Sequence, residues 1–293
     1  MPSSQTIAAE PVIAIRPLVT ADVPAADAIL MAAFGGRESR QSDLGRYLAI
    51  QPDGWFLATY GGVAAGTVGA MDYGPFAYIG LMAVDPPLQR RGIARALMQH
   101  LLAWLDGRGT PMALLDATEF GRPLYAELGF TEEDDACVYR REQAASPAAA
   151  ARGQVSELWA EHLPAVVAFD RPIFGADRGT LLRALVADLP GRCFVAHDEA
   201  GEVTGYCCAQ KRRIGPWVAC GPAEAEALLQ PVLGLPFDAA PQVIVPGLNC
   251  AAAPLLERYG FQRAHAIRHM RRGGAQHPTR RDCLYGQTSF GAG

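Results

Sequence analysis

The chain has 293 residues, 50% of them hydrophobic and 19% charged, which supplies enough apolar material for buried cores and excludes wholesale disorder. A formal charge of −4, from 26 Lys and Arg against 30 Asp and Glu, excludes a broad basic surface for duplex nucleic acid or anionic lipid. Length alone fits two domains.

The N-terminal stretch MPSSQTIAAEPVIAIRP lacks a basic region followed by an apolar run. No segment approaches the ~18 consecutive apolar residues that span a bilayer, so a cytoplasmic location is expected. WFLATYGGVAAG, from Trp55, reads as a β-hairpin about a glycine turn. Ala77 to Val84 is an apolar strand stopped by Asp85, Pro86 and Pro87, after which Ile93, Leu97, Leu101 and Trp104 recur at helical spacing. A further strand is predicted from Met112 to Leu115. AASPAAAAR, Ala144 to Arg152, has no large apolar residue and marks a boundary, giving a first domain of residues 1–143, a linker of 144–153 and a second domain of 154–293. Seven cysteines are scattered without a C-x-x-C pair or a histidine at metal spacing, and are expected as buried, reduced thiols with no metal bound.

The halves repeat one another. CFVAHDEAGEVTG, from Cys193, repeats the hairpin from Trp55. PLYAELGF, from Pro123, repeats as PLLERYGF from Pro254, with identity at Pro123/Pro254, Leu124/Leu255, Gly129/Gly260 and Phe130/Phe261. From Gly66 to Pro123 is 57 residues, but from Gly205 to Pro254 is only 49. The missing interval in the second copy holds the segment with the most chemistry in the first, QRRGIA, which stands between a strand and a helix. A helix start offers unpaired N–H groups and partial positive charge. Gly92 and the small Ala94 let an anion approach closely, and Arg90 and Arg91 add charge, so the loop suits a pyrophosphate. The same arginine pair is also what a solvated surface looks like.

Gln-x-x-Gly-x-Ala after a strand ending in Val84, followed by a strand, a helix with Tyr125 and a closing LGF, resembles the GNAT acyltransferase superfamily. The resemblance covers residues 11 to about 141 with the loop intact and continues from about 154 without it. GADRGTLLRAL from Gly175 and the late HMRRG look like the C-terminal domain of bacterial tandem GNAT proteins. The resemblance implies an α/β fold of two GNAT-like domains, each a mixed, mostly antiparallel twisted sheet flanked by helices. It implies acetyl-CoA as donor, a small-molecule amine as acceptor, direct transfer, and a monomer or homodimer. Met82, Ala83 and Val84 would hold the pantetheine arm and the thioester oxyanion. Gln89, Arg90, Arg91, Gly92, Ile93 and Ala94 would bind the pyrophosphate, and Tyr125 would protonate the departing thiolate.

Two positions depart from the pattern. Thr118 stands where many relatives have Asn, while the second half has Asn249 there. Tyr78 stands where some relatives carry a glutamate base, and neither Asp72, Asp116 nor Glu119 is distinguished from a turn or cap residue, so the base is unassigned. In the second half a strand at Trp217 to Ala219 runs almost directly into a helix from Ala223 with Glu224 and Glu226 in its first turn, and Leu256 replaces the tyrosine. That half is expected not to bind acetyl-CoA. The basic runs at Arg212, Arg213, Arg268, Arg271 and Arg272 are expected as solvated faces, and no histidine triad shows in the spacing. The function expected is acetyl-CoA-dependent N-acetyl transfer by the first half. The alternative is a non-catalytic acetyl-CoA-binding sensor.

Overall fold

The computed structural model describes residues 12–36, 39–142, 154–274 and 279–293. The chain divides by compactness into two units, one of the described residues up to Ala70 with Leu81–Arg108, the other of Met71–Gly80 with the residues from Gly109 onward.

In the first unit, β1 (Ile13–Pro17), α1 (Val23–Ala33), α2 (Gln41–Ile50), β2 (Trp55–Tyr60) and most of β3 (Val63–Asp72) are followed by the end of β4 (Ala77–Val84) and by α3 (Ile93–Arg108). Strands β1, β2 and β3 pair antiparallel in that order, with Ile15 opposite Ala58 and Phe56 opposite Val68. The β2–β3 turn is Gly61–Gly62, both at positive φ, which suits the twist of a two-residue hairpin. Helix α3 turns Ile93, Leu97, Met98, Leu101, Leu102 and Leu105 inward, the face its spacing predicts. Gly66 on β3 makes room for it, since a Cβ there would lie 2.9 Å from Leu97 Cδ1.

The second unit begins with the start of β4 and continues with β5 (Met112–Ala117), α4 (Arg122–Glu127) and β6 (Thr131–Arg141). It goes on through β7 (Gln154–Glu157), α5 (Leu163–Phe174), α6 (Gly179–Asp188), β8 (Cys193–His197), β9 (Val203–Ala209) and β10 (Ile214–Ala219). It ends with α7 (Pro222–Leu233), β11 (Gln242–Pro246), α8 (Ala252–Arg258), β12 (Phe261–Gly273) and β13 (Leu284–Gly286). From β7 to β12 the order of strands and α-helices is that of β1 to β6, so the repeat seen in the sequence is a repeat of structure.

The last strands of the two repeats are exchanged. β12 lies antiparallel between β5 and β6, and β6 in turn pairs with β11, so each repeat's final strand is hydrogen-bonded beside the other repeat's penultimate one. The first three residues of β4 pair in parallel with β5, from Ala77 opposite Ala113 to Ile79 opposite Leu115, and the pairing ends there. A separate five-stranded sheet has the order β13-β10-β9-β8-β7. Trp217, Leu228, Leu229, Val243, Leu255, Phe261 and Tyr285 meet in one core of this unit. Leu256, which replaces the tyrosine, is fully buried in the same core. The linker expected at 144–153 lies outside the described residues.

Two expectations are corrected. Cys220 and Cys250 are exposed, while the other five cysteines are buried. The basic runs are not simply solvated. Arg271 Nε donates to Glu133 (2.6 Å) and Arg268 Nη1 to Asp135 (2.5 Å), from β12 to the acidic stretch of β6, and Arg213 is buried with Nη2 donating to Gln210 Oε1 (2.9 Å). His269 is on a strand, with a carboxylate and a phenol in its network, a grouping that spacing does not reveal.

Candidate active site

Strand β4 carries a non-glycine residue in the left-handed region, Leu81 at φ 51°, immediately before Met82. Met82 is half-buried, and Ala83 and Val84 are buried. The chain then makes a 3₁₀ turn at Pro86–Leu88, turns again at Arg90 (φ 63°) and Gly92 (φ 80°), and enters α3 at Ile93. The loop is tied at its base, where the Asp85 N–H donates to the Ala65 carbonyl (2.9 Å) and Gln89 Nε2 to the Val84 carbonyl (3.2 Å). Its crown is open, with no heavy atom within 4 Å of the place a Cβ on Gly92 would take. Gly92 is therefore required by its backbone conformation and not by protein packing. The N–H groups of Ile93, Ala94 and Arg95 precede the first acceptor inside α3, and the Ala96 N–H donates to the Gly92 carbonyl (3.0 Å). Arg90 and Arg91 are exposed. The Arg91 guanidinium lies over the Tyr60 ring, 5.3 Å from its centroid, which aligns it beside the loop.

At the matching place in the second repeat, residues 85–92 are replaced by Cys220 and Gly221 alone, six residues fewer, and α7 has 12 residues where α3 has 16. Pro222 removes an N–H at the helix start. The Glu224 carboxylate folds back so that its Oε2 is 3.0 Å from where a Cβ on Gly221 would be. The partial positive charge of this helix end already faces an anion from the chain itself.

In the second unit, Tyr125 is buried on α4 with its ring 6.0 Å from that of Phe130. Gly121 permits this, because a Cβ there would be 2.7 Å from Tyr125 Cε2. Burial pushes the Tyr125 phenol up to about 12, so it stays protonated at neutral pH. Thr118 is exposed, and its carbonyl accepts from the N–H groups of Gly121 and Arg122. Asn249 is buried instead. Its Oδ1 accepts from the Ala251 and Ala252 N–H groups (both 3.1 Å) and its Nδ2 donates to the Leu284 carbonyl (3.0 Å), so it closes the turn that leads into α8.

Of the three carboxylates that the sequence left as turn or cap residues, two are used locally. Asp72 accepts from the Gly74 N–H (2.9 Å), and the exposed Glu119 pairs with Arg122 (3.0 Å). Asp116 is neither. Its side chain is fully buried and accepts from Tyr78 Oη (2.5 Å), His269 Nδ1 (2.8 Å) and Gln287 Nε2 (3.3 Å). Burial opposes its ionisation, but the hydrogen bond from His269, the positive charge of Arg281 and the Tyr78 hydroxyl together hold its carboxyl below the usual range. Burial likewise pushes the His269 imidazole below its ordinary value, reinforced by Arg281, and drives the Tyr78 phenol well above 10. The group is thus an anionic carboxylate held by neutral donors. Among the described residues no group of three or more His, Cys, Asp or Glu side chains is placed to hold a metal, and no helix is long and apolar enough to cross a membrane.

Known proteins show the same architecture. Residues 24–130 match the model of the acetyltransferase (GNAT) family, and residues 166–286 match that of an acetyltransferase (GNAT) domain. An uncharacterized N-acetyltransferase of Bacillus subtilis, YitH, is 27% identical over 139 residues, 47% of this chain and 48% of that protein, so the matched stretch spans about half the length of this relative. The structure of a candidate acetyltransferase from Pyrococcus horikoshii superposes with a TM-score of 0.85 at 25% identity, covering 100% of this chain and 99% of that one. A tandem GNAT protein from the clavulanic acid biosynthesis pathway superposes with a TM-score of 0.60 at 15% identity over 91% of this chain and 100% of that one, a likeness of fold. With both repeats matched and the α/β architecture shared from end to end, the chain belongs to the GNAT acetyltransferase superfamily and carries two GNAT domains in tandem.

Proposed function

We propose that the protein is an acetyl-CoA-dependent N-acetyltransferase in which the domain of residues 1–143 transfers an acetyl group directly to a small-molecule amine. One observation carries this reading. The loop of residues 85–92 leads into a helix start, with the N–H groups of Ile93 and Ala94 beside a glycine at φ 80° that has open space above it, whereas the second repeat has a two-residue turn closed by Glu224. An anion the size of a pyrophosphate finds N–H donors, a helix end and the guanidinium groups of Arg90 and Arg91 at the first and a carboxylate at the second.

The roles follow from chemistry. Gln89, Arg90, Arg91, Gly92, Ile93 and Ala94 bind the pyrophosphate, and Met82, Ala83 and Val84 hold the pantetheine arm, with the Val84 N–H supporting the oxyanion. Thr118 hydrogen-bonds the arm. The neutral amine forms a C–N bond to the thioester carbon, the tetrahedral intermediate collapses with loss of the C–S bond, the thiolate takes its proton from Tyr125, and the proton shed by the acylated nitrogen passes to water, which in turn reprotonates the tyrosine. The second domain shapes the acceptor side and binds no acetyl-CoA.

Calorimetric titration with acetyl-CoA and an assay of free thiol release across a panel of amines test the proposal together. Wild type is expected to bind one acetyl-CoA per chain and release thiol with an amine. Gly92→Val, which places a β-branched residue at positive φ and fills the crown, is expected to lose about tenfold or more in affinity, the cost of losing one or two charge-assisted hydrogen bonds. Unchanged affinity in a folded Gly92→Val protein would remove the loop assignment. Binding without thiol release for any amine would favour the sensor.

A further inference from the structure

The repeat matches β1 to β6 with β7 to β12 and leaves β13 without a counterpart among the described residues. This extra strand enters where β10 and β11 part. They meet in one parallel bridge, Arg213 opposite Gln242, and beyond it belong to different sheets. The fourth and fifth strands of the first repeat likewise run in parallel from Ala77 opposite Ala113 to Ile79 opposite Leu115 and then cease to pair. In the second repeat the gap holds a peptide. β13 pairs antiparallel with β10, Gly286 opposite Trp217 and Leu284 opposite Val218, and on its other side the Gln287 N–H donates to the Ile244 carbonyl of β11 (2.8 Å). The fit is to bare backbone. A Cβ on Gly286 would lie 2.9 Å from the Ile214 carbonyl oxygen and 3.2 Å from Val243 Cγ1, so β10 and β11 close on it from either side, and a Cβ on Gly215 would lie 2.1 Å from the Gln287 carbonyl oxygen.

We propose that the cleft between β10 and β11 is a binding site for an extended, amide-bearing chain, and that residues 284–287 are its resident ligand, standing where the second repeat would otherwise take the arm of a coenzyme. The correspondence with the arm rests on the acetyl-transfer reading above. Asn249 carries the argument. It occupies the position of Thr118, which that reading sets against the arm, and its Nδ2 donates to the Leu284 carbonyl (3.0 Å) while the Ala251 and Ala252 N–H groups hold its Oδ1. The contact reads the main chain of the tail and not its side chains, as in recognition by strand addition. A pantetheine arm is likewise an extended chain of amide N–H and C=O groups, so a peptide strand satisfies the same partners. Side chains then anchor the occupant. The Tyr285 ring is buried 5.3 Å from that of Trp217, and Thr288 accepts from Gln210 Nε2 at its carbonyl (2.9 Å) and from Arg178 Nη1 at its hydroxyl (3.2 Å). The tail is tethered to its cleft, which gives it the advantage of high effective concentration over any free ligand. The second repeat is thus closed to acetyl-CoA twice, by the missing loop and by a strand in the place of the arm.

Cys283 lets the full-length chain be assembled by ligation of residues 1–282 to a synthetic peptide of residues 283–293. In one version the amide between Gly286 and Gln287 is replaced by an ester, which deletes the N–H that donates to Ile244 and adds no bulk. Hydrogen exchange across residues 284–286, acetyl-CoA stoichiometry by calorimetry and thermal melting are measured on this chain, on the all-amide chain, on Asn249→Ala and on a chain in which residues 85–92 replace Cys220 and Gly221. The ester and Asn249→Ala are each expected to speed exchange across β13 about tenfold, the effect of losing one buried hydrogen bond, with one acetyl-CoA still bound per chain. The ester leaves every side chain in place and so decides the outcome where Asn249→Ala fails to fold. The loop-restored chain is expected to bind one acetyl-CoA, because the tail holds the place of the arm. Exchange within twofold of the all-amide chain in either folded variant overturns the inference and leaves acetyl transfer standing. Two acetyl-CoA per loop-restored chain, with β13 still protected, also overturns it. A wild type that binds no acetyl-CoA overturns this inference and the function together.

Discussion

Ile267 pairs directly with Ala136, and the offset that takes Pro123 to Pro254 takes Ala136 to Ile267. Each residue is the repeat counterpart of its own neighbour, so β6 and β12 cross about a local two-fold relation centred on this pair. Self-complementary pairing of this kind is how two like surfaces associate in symmetric dimers. Here both surfaces belong to one chain.

Ala136 is fully buried with Val138 and Ile244 packed around it, so Ala136→Asp sets an unpaired charge at the centre of the exchange. We expect a loss of about 3 kcal/mol or more, enough to unfold most of the protein, read as a fall in the urea midpoint. The transition is expected to stay single by circular dichroism and by tryptophan fluorescence, because β5, β6, β11 and β12 have no complete sheet apart from one another.

Asp116→Asn turns an acceptor into a group that faces three donors. A destabilisation of about 2–4 kcal/mol is expected at neutral pH. The depressed Asp116 contributes stability above the ordinary carboxylate range, lost as pH falls through its folded value. Depressed His269 acts in the same direction, since the unfolded imidazole takes a proton first as pH drops below 6.5. Wild type is therefore expected to lose stability steadily toward acid, and the variant to show a shallower slope in urea titrations at several pH values.

Tyr125→Phe keeps the ring that packs on Phe130 and removes only the hydroxyl. Acetyl-CoA affinity should hold while kcat falls about 10²-fold, the usual worth of a general acid. The wild-type phenol, pushed up to about 12, remains an acid throughout the working range, so its ionisation does not limit kcat until well above pH 10. Its raised value also favours the fold at lower pH, a contribution lost as pH rises from 10 through about 12. An alkaline fall in kcat near pH 9 that disappears in Tyr125→Phe would contradict this assignment.

Glu224→Gln frees the start of α7 from its carboxylate, but Pro222 and the missing loop remain. Acetyl-CoA titration of this variant is expected to give the wild-type stoichiometry of about one per chain, since one neutralised residue does not recreate several N–H donors. A second binding event would show that the charge alone closes the second site.

What could be read from the sequence was local. The 85–92 loop, the α3 face and the matched PLY and PLL blocks lie within short windows whose glycines, prolines and apolar spacing fix conformation without distant partners. The Asp116 network could not be read that way, because His269 and Gln287 are 153 and 171 positions from Asp116. The strand exchange was equally hidden. TEEDDACVYRR opens β6 with a run of acidic residues, accommodated in the strand because Arg268, Arg271 and Arg281 pair with Asp135, Glu133 and Asp134. Arginine runs that looked solvated are the complement of that acidic stretch.

The exchange has a consequence during synthesis. When the ribosome has finished β6, the groove between β5 and β6 awaits a strand still more than a hundred residues from being translated. For that interval the nascent chain carries two open strand edges, the form most prone to pair with a neighbour on the same message. Slow codons between the repeats would lengthen this exposure.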